Sequence, residues 1–412
     1  MPTIAFDTTE FADRADGIGL RLDEPAPGTG HERLAIRISG RLSGDVPEGA
    51  RVRVRARGRG QDWPLQTVQG GPGIKAIVSA LDVPPAFRID GGLVVAGTET
   101  RLVSITGRRT PGLTPDAGGP APVLLAALGR SGSTWAMRLL AAHPEVVVHR
   151  AYPFETRLLQ YHVELAALQT RPADLEDPDL ERLGGPGWIK ANPYFRPDET
   201  RYAWLSDAGA RLALAHAARS AQAFYAHVAE AQGDDPGTHV AEKAPPDPAR
   251  LDRVRAVHPG SRVLALLRDP RDVVASVKAF DAKRGFDGFG RGDAGDDASF
   301  AGRIARGSEA LARLARNRDD TVILRYEDLA AAPLAAMAAV LPGLGLSAGD
   351  PQRDAIAAAV QADDALLSYH RTTISPAASV GRWRSDLTHA EKAACAAEMG
   401  ANLAHFGYTA GP

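Results

Sequence analysis

The chain has 412 residues, with 48 Lys and Arg against 50 Asp and Glu for a net charge of −2, and one cysteine, Cys395. This length favours two or three domains. A single cysteine excludes an internal disulfide and any cysteine-cluster metal site, and it fits a reducing compartment. Because the charges nearly balance, we expect no nucleic-acid partner, and an anionic ligand would have to be held by local arginine clusters.

The N-terminal segment, residues 1–20, contains no basic stretch followed by an apolar run. It therefore predicts no signal peptide. The longest apolar runs, such as 123–128 and 263–267, are too short to cross a bilayer. We expect a cytoplasmic protein without a membrane span.

The first part of the chain contains short runs in which apolar and polar residues alternate. These runs lie at 34–42, 51–57, 93–95 and 101–105, and Gly and Pro turns separate them. Alternation of this kind is typical of antiparallel strands with one solvated face. We predict a small all-β accessory domain, sandwich-like or barrel-like, over residues 1–112. The alternating arginines of 51–57 could bind an anionic polymer, but a solvated sheet face is the favoured interpretation.

Residues 113–121 are rich in Gly and Pro and predict a linker. After them the pattern changes to strand–turn–helix, which predicts an α/β domain over 122–412. Strands that alternate with helices favour a parallel sheet with helices on both faces, a three-layer sandwich. The predicted strands are 123–128, 263–267 and 321–325, and the predicted helices are 134–142, 208–231 and 270–280.

Two smaller features belong to these helices. Asp207 precedes the helix predicted over 208–231 and is expected to cap it. The segment 281–299 is rich in Gly and Asp, and it predicts a mobile surface loop after the helix over 270–280. Trp188, Trp204 and the neighbourhood of Tyr202 are expected in the core, with walls of an acceptor pocket as the alternative. His216 and His227 do not have the spacing of a metal pair.

The segment between the first strand and its helix has the composition of a phosphate-binding loop. It is Gly-Arg-Ser-Gly-Ser-Thr-Trp over 129–135. Glycine lets the backbone approach an anion, and the first amides of the helix point at it. Ser133 and Thr134 add hydroxyl donors, and Arg130 adds a charge. The Gly-Lys-Ser/Thr of a Walker A loop is absent, and an ordinary helix start is the alternative interpretation.

A second candidate phosphate site follows the second buried strand, at 268–276. Asp269 is expected to cap the following helix, with Pro270 at its first position. Arg268 and Ser276 have no part in capping, and both could face the crevice where such sheets bind ligands. The fork of an arginine suits a phosphate because it binds two oxygens.

The two segments together resemble the sulfotransferases that use 3′-phosphoadenosine 5′-phosphosulfate (PAPS), in particular the bacterial type with an Arg in the 5′-phosphosulfate loop. The resemblance covers about 120–410 and implies a P-loop-like fold. Segments 324–329 and 380–387 match in the right order, the first with a Tyr near the nucleotide and the second closing over PAPS. The donor-binding residues that the resemblance implies are Arg130, Ser131, Gly132, Ser133, Thr134, Trp135, Arg268, Ser276, Tyr326, Gly381, Arg382 and Trp383.

Sulfuryl transfer to a hydroxyl requires a base for the acceptor proton. In the protein-tyrosine type a Glu followed by Thr-Arg is the base, and Glu155 stands in such a segment here. The resemblance therefore assigns Glu155 as the base. His149 and Glu242 are the alternatives, because a His base serves the cytosolic enzymes and Glu242 lies in the next candidate segment.

The reaction also requires cations on the sulfuryl oxygens and on the leaving phosphate oxygen. Arg130 is one candidate. Lys243, in Glu-Lys-Ala-Pro-Pro, resembles the Lys-x-Pro segment of these families and is the second, with Lys190 as a weaker alternative. These side chains can carry the charge without a metal, so no metal is predicted.

The resemblance leads to the prediction of a PAPS-dependent sulfotransferase that releases 3′-phosphoadenosine 5′-phosphate (PAP). A kinase-like P-loop phosphotransferase and a non-catalytic nucleotide-binding relative are the alternatives. The missing Walker sequences count against the first. The acceptor is predicted to be a saccharide or glycoconjugate, by association with the β appendage, while a protein tyrosine and a small alcohol remain open.

Overall fold

The computed structural model describes residues 3–12, 17–56, 59–64, 66–68, 71–114, 118–171, 198–362, 369 and 371–409. Trp188 and Lys190 lie outside the described residues. The contacts divide the chain into two compact units. The first unit comprises Met1–Ala117, Leu159–Ala221 and Ala249–Pro259, and the second comprises Gly118–Leu158, Gln222–Pro248 and Gly260–Pro412. The domain boundaries expected from the sequence remain a prediction.

The N-terminal part of the first unit is all-β, as predicted. Its described strands form a six-stranded antiparallel sheet in the order β3-β1-β10-β9-β5-β6 and a four-stranded sheet in the order β2-β4-β8-β7. The strands are β1 Ile4–Phe11, β2 Gly19–Glu24, β3 Gly30–His31, β4 Ala35–Ser43, β5 Arg51–Ala56, β6 Arg59–Pro64, β7 Gln66–Val68, β8 Gly71–Ser79, β9 Ala86–Val95 and β10 Thr98–Arg109.

Strand β5 shows how the alternating pattern produces these sheets. Val52 and Val54 are buried, and the arginines between them are partly exposed. Arg55 donates from Nε to Glu99 Oε1 of β10 at 3.0 Å, and Arg53 lies 3.8 Å from the same carboxylate. The arginine face is thus partly exposed and paired with an acid, which supports the solvated sheet face.

The first unit also contains helical segments. These are α2 Leu158–Thr170, α3 Glu199–Trp204, and parts of α4 Ala210–Gln232 and α5 Pro248–Val257. Tyr202 of α3 is buried as predicted, and it clusters with Ala35, Ile77 and Leu205. The apolar side of this segment therefore packs on strands of the first unit.

Two predictions about this segment are wrong. Asp207 does not cap α4, because it lies in a π-helical turn, Leu205–Gly209, that joins α3 to α4. The backbone is already helical there, and Asp207 instead accepts from Arg211 Nε at 2.6 Å. Trp204, expected in the core, is 55% exposed, since its ring lies over the backbone of Gly209 at the surface of the turn.

The second unit is built on a five-stranded parallel sheet in the order β12-β13-β11-β14-β15. The strands are β11 Ala121–Ala127, β12 Val146–Val147, β13 His239–Ala244, β14 Arg262–Leu267 and β15 Thr321–Arg325. The chain lays β12 and β13 on one side of β11 and β14 and β15 on the other. Strand β11 is therefore a topological switch point, the place where open parallel sheets bind their ligands.

Helices cover both faces of this sheet. The helices are α1 Ser133–Ala141, α6 Pro270–Arg284, α7 Asp297–Asn317, α8 Tyr326–Ala331, α9 Pro333–Val340, α10 Asp350–Gln361, α11 Trp383–Asp386 and α12 His389–Leu403. Val123 and Leu125 join a cluster with α1, α9 and α10, whereas Leu128 packs against a cluster of α6, α7 and α12. The predicted three-layer α/β sandwich is confirmed.

The end of one helix and the loop after it differ from their predicted bounds. Helix α6 runs to Arg284, four residues past its predicted end at 280, and stops at Gly285, whose φ is 81°. The loop predicted over 281–299 shortens from both sides, because α7 already begins at Asp297. Within the described ranges, no helix is both long enough and apolar enough to span a bilayer.

The start of α6 yields a prediction about stability. Asp269 is buried, accepts from the backbone N–H of Arg271 at 2.9 Å, and pairs with the Arg271 guanidinium at 2.8 Å. Asp269→Ala removes a cap and leaves a buried arginine without its carboxylate. We expect the free energy of unfolding to fall by about 3 kcal/mol, measured by urea denaturation.

Asp296→Ala provides the matched control, because Asp296 caps α7 in the same way from an exposed position. It should lower stability less than Asp269→Ala. Equal losses in the two variants would show that the Arg271 pair contributes nothing beyond the cap.

Candidate active site

A cavity of about 380 Å³ lies at the carboxyl ends of β11, β13 and β14. Every motif singled out in the sequence contributes at least one side chain or backbone segment to it. The predicted residues that line it are Arg130, Gly132, Ser133, Thr134, Trp135, Glu155, Lys243, Arg268, Ser276, Tyr326 and Arg382. The fold therefore brings together residues that are as much as 252 positions apart, from Arg130 to Arg382.

The loop after β11 is held by its backbone geometry. Gly132 has φ 95°, and a Cβ there would lie 2.5 Å from the ring of Tyr326. Arg130 also has a positive φ, 64°. Ser131 is buried and donates from Oγ to the carbonyl of Leu128 at 2.7 Å, so its side chain closes the turn and does not line the cavity. Helix α1 then begins with Ser133 and Thr134 at the cavity.

Lys243 connects this loop to the segment after β12. Its Nζ donates to Thr134 Oγ1 at 2.9 Å and to the carbonyl of Pro153 at 2.6 Å, and lies 3.6 Å from Glu155 Oε1. Burial lowers the pKa of Lys243 to about 8, and the Glu155 carboxylate opposes that shift. The ammonium is thus fixed in position at the phosphate loop.

Glu155 stands where the cavity meets solvent. Its side chain is about half exposed, with Arg157 Nη2 3.8 Å from Oε2. The preceding residue, Phe154, has φ 63° and packs against the apolar cluster of the sheet. The packing of Phe154 fixes the backbone at Glu155. The Glu155 carboxylate is therefore held where it reaches both the cavity and the surface.

Neither alternative base lines the cavity. His149 bonds through Nδ1 to Thr156 Oγ1 and packs edge-on against Phe224, with ring centroids 6.0 Å apart. Glu242 is buried and accepts from the Tyr225 hydroxyl at 2.7 Å. Neighbouring strand residues point to opposite faces, which separates Glu242 from Lys243. The geometry therefore favours Glu155 as the group that could take a proton at this site.

Arg268, which also lines the cavity, bridges two segments. It is 7% exposed and donates from Nη1 to the carbonyl of Arg130 at 2.9 Å and from Nη2 to the carbonyl of Ser379 at 2.8 Å. Its guanidinium lies 4.2 Å from the ring centroid of Tyr326, whose hydroxyl bonds to Ser379 Oγ at 2.7 Å. Ser276, buried in α6, lines the cavity beside them.

The C-terminal segment predicted to close over the nucleotide is anchored by α6. Asp272 accepts from the backbone N–H of Gly381 at 2.7 Å and of Trp383 at 3.0 Å. These two residues do not line the cavity, and the Trp383 ring lies under the Arg271 guanidinium at 4.0 Å. Arg382, between them, does line it.

The sequence did not indicate several lining residues: Arg138, Phe289, Arg371, Thr372, Thr373, Ser375 and Ser379. Arg138 had a usable signal, because it follows Thr134 by four residues and so shares its helix face. The segment from Arg371 to Ser379 carried only a local excess of Ser and Thr.

The cavity is strongly cationic. Among the described residues that line it, the cationic side chains are Arg130, Arg138, Lys243, Arg268, Arg371 and Arg382, and the carboxylate is Glu155. Burial together with Arg268 and Arg382 lowers the pKa of Arg130 to about 10. Within the described ranges, no cluster of three His, Cys, Asp or Glu side chains could hold a metal. Such a charge balance suits a polyanionic ligand.

A model of the sulfotransferase family matches residues 122–350, which is more than half of the chain. The chain belongs to the sulfotransferase family. The matched region contains the loop after β11, Lys243, Arg268 and Tyr326, while Arg382 lies beyond it. No curated protein sequence matches the chain.

Solved sulfotransferase structures are similar to the chain at low identity. The sulfotransferase domain from the curacin biosynthetic pathway is 16% identical, over 69% of this chain and 99% of that one, with a TM-score of 0.37. STF9 from Mycobacterium avium is 16% identical, over 72% of this chain and 79% of that one, with a TM-score of 0.38. Mouse SULT7A1 complexed with PAP is 10% identical, over 68% and 82%, with a TM-score of 0.33.

The environment of Lys243 can be tested by chemical labelling. Its pKa is lowered to about 8, so the neutral, nucleophilic amine predominates above that pH. Mass spectrometry of acetic anhydride-treated protein should show half-maximal acetylation of Lys243 near pH 8. Glu155→Gln should move that midpoint to lower pH, because the carboxylate favours the ammonium.

Arg157→Gln supplies the control of opposite sign, since the Arg157 charge lowers the pKa of Lys243. Its midpoint should move to higher pH. Shifts in the same direction for both variants would contradict an electrostatic origin.

Proposed function

We propose that the chain transfers a sulfuryl group from PAPS to an acceptor hydroxyl. The observation that carries this proposal is one cavity that is lined by a phosphate-type loop, Lys243 and Glu155 and also by Arg268 and Ser276. The loop and Lys243 suit the 5′-phosphosulfate end, and Arg268 with Ser276 suits the 3′-phosphate. The family membership supports the reaction class.

The residues present fit such a donor. PAPS carries two phosphates and a sulfate, and the lining offers arginine forks, an ammonium and helix N-terminal amides to them. Arg268 Nε is buried without a hydrogen-bond partner among the described residues, so the 3′-phosphate side holds a donor that a ligand can satisfy. A volume of about 380 Å³ lies within the usual range for small-ligand sites.

The chain's own residues suit an in-line displacement. Bound PAPS supplies a sulfuryl group on a phosphate that serves as the leaving group. Thr134 and the Pro153 carbonyl fix Lys243, which donates to the leaving oxygen as negative charge develops there. Arg130 neutralises charge on the sulfuryl oxygens. Glu155 accepts the acceptor's proton as the new S–O bond forms and the S–O bond to phosphate breaks.

The acceptor proposed is a saccharide or glycoconjugate hydroxyl. Glu155 is about half exposed, so a hydroxyl on a large molecule can reach it without entering the interior. The all-β region that precedes the catalytic unit is the kind of appendage found beside large substrates, which supports this class by association. An acceptor panel with labelled PAPS should begin with saccharides.

Calorimetry with PAP tests the donor. We expect PAP to bind, with ATP and ADP competing weakly because they lack a 3′-phosphate. Ser276→Ala removes one hydrogen bond to that phosphate and should weaken PAP binding by about tenfold or more. Ser308→Ala is the matched control, because Ser308 is also a buried helical serine but does not line the cavity. ATP binding as tight as PAP binding would instead favour a kinase-like phosphotransferase.

Glu155→Gln tests the base. It should lower kcat by at least about a hundredfold while PAP affinity stays close to that of the wild type, because the amide cannot take a proton. Glu230→Gln, on the exposed side of α4, should leave both unchanged. Full activity in Glu155→Gln would refute the assignment. PAP binding in a wild-type protein that sulfates no acceptor would indicate the non-catalytic relative.

A further inference from the structure

Exposed apolar side chains gather on the segments that form the mouth of the cavity. Ile374 is 96% exposed, and the others are 40–60% exposed. We call this set the apolar rim: Phe286, Phe289, Tyr369, Ile374 and Val380. A single exposed apolar residue needs no explanation, but a group of them at a binding site marks a surface that a ligand covers.

The rim is continuous with the cavity. Phe289 lines it, with a left-handed backbone of φ 54°, and its ring leaves no room for a Cβ at Gly129, which would lie 2.5 Å away. Ile374 stands between Thr373 and Ser375, which both line the cavity. A ligand whose polar part occupies the cavity therefore has the rim directly beside it.

A buried ring, Phe280, packs against two of the rim's rings. Its centroid lies 6.0 Å from that of Phe289 and 6.3 Å from that of Tyr369. The Arg284 guanidinium covers Phe280 at 4.5 Å and Phe286 at 4.1 Å, and its charge is paired with Asp281 at 2.5 Å. The three rings of the rim thus pack on Phe280 or Arg284, while Ile374 and Val380 stand next to cavity-lining residues in the chain.

The rim also lies near the reacting groups. The Arg130 guanidinium covers the same Phe280 ring at 4.0 Å, and Arg130 lines the cavity with Glu155. The donor's anionic groups account for the cations of the lining, whereas the rings and Ile374 offer a sugar few hydrogen-bond partners. An apolar group attached to the acceptor is the ligand part that these side chains fit.

We propose that the rim binds an apolar aglycone, so that the acceptor is an amphiphilic glycoconjugate with a sugar hydroxyl at Glu155 and a hydrocarbon group on the rim. This inference rests on the proposed function and narrows its acceptor. Each methylene that the rim covers should raise the binding affinity by roughly fourfold, because burial of one CH₂ changes the binding constant by about that factor. Affinity should therefore rise with alkyl chain length.

The test compares two probes with the same sugar. The full chain, with and without saturating PAP, is titrated by calorimetry with n-octyl-β-D-glucoside and methyl-β-D-glucoside below micelle-forming concentrations. We expect the octyl glycoside to bind at least about tenfold more tightly than the methyl glycoside. Phe286→Ser and Ile374→Ser should each reduce octyl binding by about threefold or more and leave methyl binding unchanged.

Phe11→Ser is the matched control, because Phe11 is 53% exposed, against 60% for Phe286, and belongs to the first unit. It should not change octyl binding. Octyl binding no tighter than methyl binding, including no binding of either, overturns the proposal, as does an equal loss in Phe11→Ser. PAP titration of the same samples reports separately on the proposed function, because Phe286 and Ile374 do not line the cavity in which the donor is proposed to bind.

Discussion

The guanidinium of Arg268 connects three separate segments of the second unit around the cavity. One side of its fork holds the carbonyl of Arg130 in the loop after β11, and the other holds Ser379 ahead of α11. Its face rests on Tyr326, at the start of α8. A lysine could not replace it, because a single ammonium on a flexible stem lacks the planar face and the rigid, divergent donors. Three segments that line the cavity and are distant in the chain thus meet at this side chain.

The residues that follow Arg268 extend the same arrangement. Asp269 caps α6 and holds Arg271, whose guanidinium supports Trp383. Asp272 holds the backbone on both sides of Arg382. Burial raises the pKa of Asp272, and the two backbone N–H donors oppose that shift. Charged groups are stable in this interior because each has a partner at hydrogen-bond distance.

The features predicted correctly from the sequence are those that a local pattern of residues determines. Apolar runs between turn signals located β11, β14 and β15, and the composition of the loop after β11 and of 268–276 located both sides of the cavity. The π-turn around Asp207 and the exposure of Trp204 depend on packing that a capping pattern does not reveal. Arg371 and its neighbours line the cavity because the fold brings together segments that are more than 200 residues apart in the chain. No spacing in the sequence provides a signal for such a contact.

The main role of the segment 268–272 is structural. Of its charged side chains, Asp269, Arg271 and Asp272 hold a helix start and the wall opposite, and none of the three lines the cavity. A descendant that lost Lys243 or Glu155 would still need all of them to keep its shape. A match to this segment alone therefore identifies the wall of the cavity and carries no information about the groups at Lys243 and Glu155. The roles proposed for Lys243 and Glu155 have to be examined at those two side chains, which lie in and after strands on the other side of β11.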